Sequence, residues 1–191
     1  MIILASKSAS RRAMLDAAGV AYKAQPANVN ERAIEASMEG ARPDQVALAL
    51  AEAKALAIDS GNPVLGSDSL VVSGGRRYDK PADRDEAAAH LRAFSGHVMQ
   101  LHSAAAIAVG SDIVWRHAAV ASLQVRELSE DFIASYLEAE WPAVSHCVGV
   151  FRIEGPGVQL FERIEGDQFT VLGMPLLAVL SALRDLGELR A

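Results

Sequence analysis

Two long runs rich in β-forming residues stand back to back in the second half of the chain. They are HVMQLHSAAAIAV, His97 to Val109, and DIVWRHAAVASLQVREL, Asp112 to Leu128, joined by the GSD stretch that begins at Gly110. A link this short can only fold the second run back on the first, so the pair predicts an antiparallel hairpin. Elsewhere strand-like and helix-like segments alternate. IILAS, from Ile2, is a short buried strand, and Ser10 to Ala18 is a helix ended by Gly19. VAYKAQPA is a weaker strand, followed by a strong helix that Pro43 and Asp44 start and Gly61 follows. PVLGSDSLVV is a strand, with SGG offering a turn into a short partner. Asp83 and Glu86 have capping-box spacing before a helix that Gly96 closes, and Ser129 opens another that runs to Glu140 and stops at Pro142. GVQLFERIEG is strand-like, and MPLLAVLSALRDLG is a final amphipathic helix. An antiparallel hairpin inside such an alternation excludes a clean parallel array. It predicts an α/β fold with a mixed β-sheet and flanking helices.

Composition narrows the function classes. With 191 residues, about half of them apolar, the chain can bury a sizeable core as one domain. The net charge is −6 and the basic residues are scattered, which argues against a nucleic-acid binder. Cys147 is the only cysteine, so no intrachain disulfide forms, and its apolar surroundings suit a small buried hydrophobe. No apolar run has the length to span a bilayer, and Lys7 arrives too early for a secretory leader. A cytoplasmic protein with no membrane partner is expected.

Four stretches carry candidate chemistry. In the first, the strand at Ile2 runs straight into Ser6, Ser8, Ser10, Arg11 and Arg12. A helix start offers free amides and a positive dipole end, hydroxyls add donors, and an arginine can grip a phosphate with two N–H groups. The same residues also suit an ordinary serine cap with solvated arginines. The second is Lys54, which falls on or beside the apolar stripe of its helix with Ala47, Leu50 or Ala51, and Ile58. It either snorkels or aims a cation at a phosphate. The third is GSDSLVV, where Asp68 lies in an apolar β run between Ser67 and Ser69. A buried acid must be paired or metal-bound, so Asp68 is the best single candidate for a catalytic base or metal ligand. The fourth is Lys80, which Pro81 holds extended just ahead of a helix. The five histidines lack zinc-ligand spacing, and the common phosphate loops GxxxxGK[ST] and GxGxxG are absent, as is the GxSxG elbow.

Taken in order, these pieces resemble the Maf family of nucleoside triphosphate pyrophosphatases. The family's opening L-A-S-x-S-P-R-R is matched by Leu4, Ala5, Ser6, Ser8 and Arg11, and its D-E pair by Asn30 and Glu31. L-A-x-x-K-A is matched from Leu50 to Ala55, and G-[AS]-D-[TSQ] from Gly66 to Ser69. K-P with E-A and S-G is matched by Lys80, Pro81, Glu86, Ala87, Ser95 and Gly96, and E-G-D-x-x-x-V-x-G-x-P-L from Glu165 to Leu176. Each motif is short, but the ordered set is specific and spans nearly the whole chain.

The resemblance implies a fold related to the inosine triphosphate pyrophosphatases, a single domain over 1–191 with two lobes about a central cleft, often as a homodimer. It implies hydrolysis of a nucleoside triphosphate to monophosphate and pyrophosphate with a divalent metal, Mg²⁺ or Mn²⁺. In that reading Asp68 activates water or holds the metal, and Glu31 contributes to the metal site. Arg11, Lys54 and Lys80 neutralise the triphosphate, Ser6 and Ser8 donate to it, and Ser10, Ser69 and Glu154 also meet the substrate. Ser10 stands where the pyrimidine-preferring branch often has Arg, and Glu154 where it has Gln. A carboxylate can accept two hydrogen bonds from a guanine edge. These two positions favour a purine such as 7-methyl-GTP, the substrate of another branch, although that branch tends to carry Trp near position 10 and Gln at 69. Asn30 replaces the usual Asp, and Ser103-Ala104 the usual Thr-Gly. A dTTP- or UTP-preferring enzyme is the alternative substrate reading. A nucleotide-binding regulator of septum formation without turnover is the alternative function.

Overall fold

A computed structural model describes residues 1–190. The elements are β1 (Ile2–Leu4), α1 (Ala9–Ala17), β2 (Tyr22–Ala24), α2 (Glu31–Ser37), α3 (Pro43–Leu56), β3 (Val64–Ser73), β4 (Arg76–Tyr78), α4 (Arg84–Phe94), β5 (Val98–Val109), β6 (Asp112–Val125), α5 (Glu130–Glu140), β7 (Phe161–Glu165), α6 (Gln168–Val171) and α7 (Leu176–Asp185). The strands form one mixed sheet in the order β2-β1-β3-β5-β6-β7, with β4 beside β3. β1 runs parallel to both β2 and β3, whereas β4 is antiparallel to β3 and β7 to β6. Gly110 and Ser111 are the whole connection between β5 and β6, with Gly110 at φ +60°. The mixed α/β architecture is therefore the one that the hairpin and the alternation predict.

Three segments depart from the sequence reading. Asn30 opens a helix, α2, where no element is legible, because its side chain accepts from the Ala33 amide at 3.1 Å. GVQLFERIEG is only half strand. Pro156–Leu160 form a 3₁₀ turn, which Pro156 at the first helical position favours, and pairing with β6 begins at Phe161. The first helix begins at Ala9, one residue before Ser10, because Ser8 takes the cap position.

The chain divides into two compact units. The first holds Met1–Ser69, His102–Val120 and the segment from Asp167 onward. One face of its strands buries Ile2, Leu4, Leu65, Ala105 and Ile107 against Met14 and Leu15 of α1 and Val179 and Leu183 of α7. The other face turns Ile3 and Val64 toward Ile58, just beyond α3. Gly66 lies on that second face, where an added Cβ would overlap the Ala51 carbonyl and the Ala55 amide of α3. Helix and strand backbones thus touch, an approach open only to glycine. The second unit holds Leu70–Leu101 and Ala121–Gly166. Among its aromatic contacts, Tyr78 stands edge-on to Phe94 at 4.6 Å between ring centres, and Arg92 of α4 pairs with Glu130 of α5. Among the described residues no helix is long and apolar enough to cross a membrane.

Candidate active site

Strand alternation organises the first unit's polar residues. Successive side chains of β3 point to opposite faces, so Gly66 and Asp68 share one and Ser67 and Ser69 share the other. Because Gly66 lets α3 lie directly on β3, Lys54, the neighbour of Ala55, comes down beside Asp68. Lys54 Nζ donates to Asp68 Oδ1 at 2.5 Å and lies 2.9 Å from Glu31 Oε1 at the start of α2. The Lys54 and Asp68 side chains are about nine-tenths buried, and Glu31 is half exposed. Lys54 thus sits at the edge of its helix's buried stripe as expected, but two carboxylates are its partners.

The opposite face of β3 carries a different network. The Gly173 carbonyl accepts from Arg11 Nε at 3.0 Å, Ser69 Oγ at 2.9 Å and Ser67 Oγ at 3.2 Å. Arg11 Nη2 also donates to Ser69 Oγ at 3.1 Å, and Nη1 makes a longer contact of 3.4 Å to Ser6 Oγ. Arg11 has five N–H donors, so these three contacts fix its plane, and two have no partner among the described residues. Burial pulls its guanidinium below the ordinary arginine value, and the charges of Asp68 and Glu31 oppose that shift. Ser103 Oγ, fully buried on β5, donates to the Thr170 carbonyl at 2.8 Å and touches Ser69 Oγ at 3.1 Å. Helix α6 and the turn after it are thereby tied to β5 and β3 respectively.

The opening serines divide their duties. Ser8 caps α1, its hydroxyl accepting from the Arg11 amide at 3.4 Å, and the Ser6 hydroxyl accepts from the Ser8 amide at 3.1 Å. Ser10 is half-buried on α1, and Arg12 is exposed. The structure therefore brings Ser6, Ser8, Arg11 and Ser69 together in one network, and Glu31, Lys54 and Asp68 in another. Lys80 and Glu154 belong to the second unit, where both are exposed. Glu154 follows a strained stretch: Val150 takes φ +58°, its carbonyl accepts from Tyr136 Oη at 3.0 Å, and Arg152 makes a two-pronged pair with Glu140 at 2.9 Å.

Sequence reasoning misses Ser67, Ser103, Thr170 and the Gly173 carbonyl. Ser103 gives a signal in hindsight, as a hydroxyl inside the apolar run LHSAAAIAV, where burial demands a partner. The Gly173 and Thr170 carbonyls give none, since a backbone acceptor carries no residue code.

The site thus sets arginine and hydroxyl donors on one face of a strand of an α/β protein, with a lysine and two carboxylates on the other. Comparison with known proteins makes the assignment definite. The Maf-like protein family model matches residues 1–186, and the chain belongs to that family. A Rhizobium meliloti (strain 1021) protein named 7-methyl-GTP pyrophosphatase is 47% identical over 196 residues, covering 100% of this chain and 98% of its own. A Jannaschia sp. (strain CCS1) protein named Nucleoside triphosphate pyrophosphatase 1 is 46% identical over 188 residues, covering 96% and 95%. Among solved structures, a HAM1 protein from Coxiella burnetii aligns at TM-score 0.41 and 17% identity, over 65% of this chain and 72% of that one.

Proposed function

We propose that this chain hydrolyses a nucleoside triphosphate to the monophosphate and pyrophosphate, with 7-methyl-GTP as the type of substrate. The observation that carries the reading is the buried Asp68, held by Lys54 and backed on the opposite strand face by Arg11. Membership of the family, and relatives named as pyrophosphatases for 7-methyl-GTP and for nucleoside triphosphates, support it. Arg11 binds phosphate oxygens through the two N–H groups its protein contacts leave free, oriented by Gly173 and Ser69. Ser6 and Ser8 supply hydroxyl protons, since both accept from the chain and still have a hydrogen to give. Lys54 neutralises charge that develops on the phosphates. Water adds to a phosphorus of the α–β anhydride, the anhydride P–O bond breaks, and pyrophosphate leaves. The water proton passes to the Asp68 carboxylate.

A divalent ion fits the residues present. Mg²⁺ is commonly bound by one or two carboxylates with substrate phosphates completing the shell. Glu31 and Asp68 converge on one nitrogen and so can face one ion. Such an ion supplies Lewis-acid stabilisation of phosphate charge. Asn30 is not in this set, because its side-chain oxygen caps α2.

The test is pyrophosphate release from a panel of ordinary and modified triphosphates, by the wild type and Asp68→Asn. Loss of a general base lowers turnover on the order of 10²–10⁴-fold. Turnover by Asp68→Asn at the wild-type rate removes Asp68 from the mechanism, and no pyrophosphate from any triphosphate refutes the function.

A further inference from the structure

The lysine that pairs with Asp68 stands between the two carboxylates that fit a metal ion. Lys54 Nζ is within hydrogen-bonding distance of one oxygen each of Asp68 and Glu31. An ion held by the same two carboxylates takes oxygens at about 2.0–2.6 Å, which claims the space of the ammonium group. Two cations that close also repel strongly in a partly buried site. The ammonium cannot simply withdraw, since a nearly buried charge without a partner is costly. It needs another anion, and phosphate oxygens are suitable acceptors for a lysine.

We propose that Lys54 is an internal counter-ion for the two carboxylates, which a divalent ion displaces only when a triphosphate draws the ammonium away. The inference rests on the pyrophosphatase reading for the identity of that anion. Its consequence is coupled binding: metal raises the affinity for triphosphate, and triphosphate raises it equally for metal. The fold makes the exchange feasible on the Glu31 side. α2 has no buried residue, and the Glu31 side chain is 48% exposed, so this carboxylate can re-aim without disturbing the core. Asp68 is fixed on β3 beneath α3, so it is the stationary ligand.

The experiment is calorimetric titration of the full chain with Mn²⁺ alone and with inorganic tripolyphosphate present. Wild type, Lys54→Met, Lys54→Gln and Lys54→Arg are compared, each checked for folding by thermal melting. Without phosphate, Met and Gln substitution raise Mn²⁺ affinity at least tenfold, and Arg substitution, which keeps the charge, leaves it near the wild-type value. Tripolyphosphate raises Mn²⁺ affinity in the wild type, and by a smaller factor in the neutral variants. Equal or weaker Mn²⁺ binding by the neutral variants overturns the proposal, as does equal tightening by Lys54→Arg. Should the Met variant not fold, the Gln variant retains a donor to Asp68 and gives the answer. Should neither neutral variant fold, the wild type decides: Mn²⁺ affinity that tripolyphosphate leaves unchanged overturns the proposal. A wild type that releases no pyrophosphate from any triphosphate overturns the function instead, and leaves the Mn²⁺ titration interpretable.

Discussion

Gly173→Ala tests whether one backbone carbonyl orients Arg11 for the proposed role in phosphate binding. Gly173 sits at φ +100°, where an L side chain is strained, and its Cβ would lie 3.0 Å from Ser69 Oγ and 3.8 Å from Arg11 Nη2. The backbone contribution is about 1–3 kcal/mol. In a chain of this size each kcal/mol lowers Tm by about 2–4 °C, so a drop of roughly 2–12 °C is expected. The crowding acts in addition, because Ser69 must give by a few tenths of an ångström, and Ser69 bridges Arg11, Gly173 and Ser103. A misplacement of about 1 Å costs on the order of 100-fold in rate, so a smaller shift is expected to lower pyrophosphate release several-fold. Differential scanning calorimetry and a steady-state pyrophosphate assay read the two effects separately. Unchanged melting with unchanged kcat/KM would refute both the strain and the orienting role of the carbonyl.

Two further outcomes follow from other parts of the molecule. His102 is buried and neither ring nitrogen has a hydrogen-bond partner among the described residues, and burial lowers its pKa from 6.5 against the weaker pull of Asp44. His90 is lowered by burial too, with Glu86 opposing. Below pH 6.5 the unfolded chain takes up protons that the native chain refuses, so stability falls with pH until the native values are reached. Urea midpoints should drop between pH 7.5 and 5.5, and His102→Leu should flatten that drop; an equally steep fall in the variant removes His102 as its source. Glu154→Gln should reduce the preference for 7-methyl-GTP over UTP by about tenfold or more, the value of a hydrogen bond to a charged acceptor. An unmoved ratio shows that Glu154 does not read the base.

The architecture was legible because its signals are local. The short GSD link forces the β5–β6 hairpin, and the spacing of Ala47, Leu50, Ala51 and Ile58 correctly places Lys54 at the edge of a buried face. The apolar residues around Asp68 correctly signal a buried acid that needs a partner. What stayed hidden depends on which elements meet. Periodicity gives the face on which Lys54 lies, but its partners come from β3 and α2, and only the close approach at Gly66 brings Asp68 to it. Asn30 reads as a replacement for the Asp of the family motif, whereas in three dimensions it is a helix cap.

The alternation of β3 gives the site a division of labour that four residues in a row would not suggest. Asp68 faces α3 and accepts from the lysine, while Ser67 and Ser69 face the Gly173 turn and donate to its carbonyl, with Ser69 also accepting from Arg11. A one-residue slip of this strand would exchange the two sets, placing serines on Lys54 and a carboxylate against the Gly173 carbonyl, acceptor facing acceptor. Such a slip also moves Gly66 from beneath α3 and sets a side chain against the Ala51 carbonyl. Register here is thus guarded twice, by close packing at Gly66 and by hydrogen-bond polarity at 67–69. The glycine of the G-S-D-S run therefore shapes the pairing through packing alone. It holds helix and strand close enough for Lys54 to reach Asp68, and it keeps the carboxylate on the face where a cation waits.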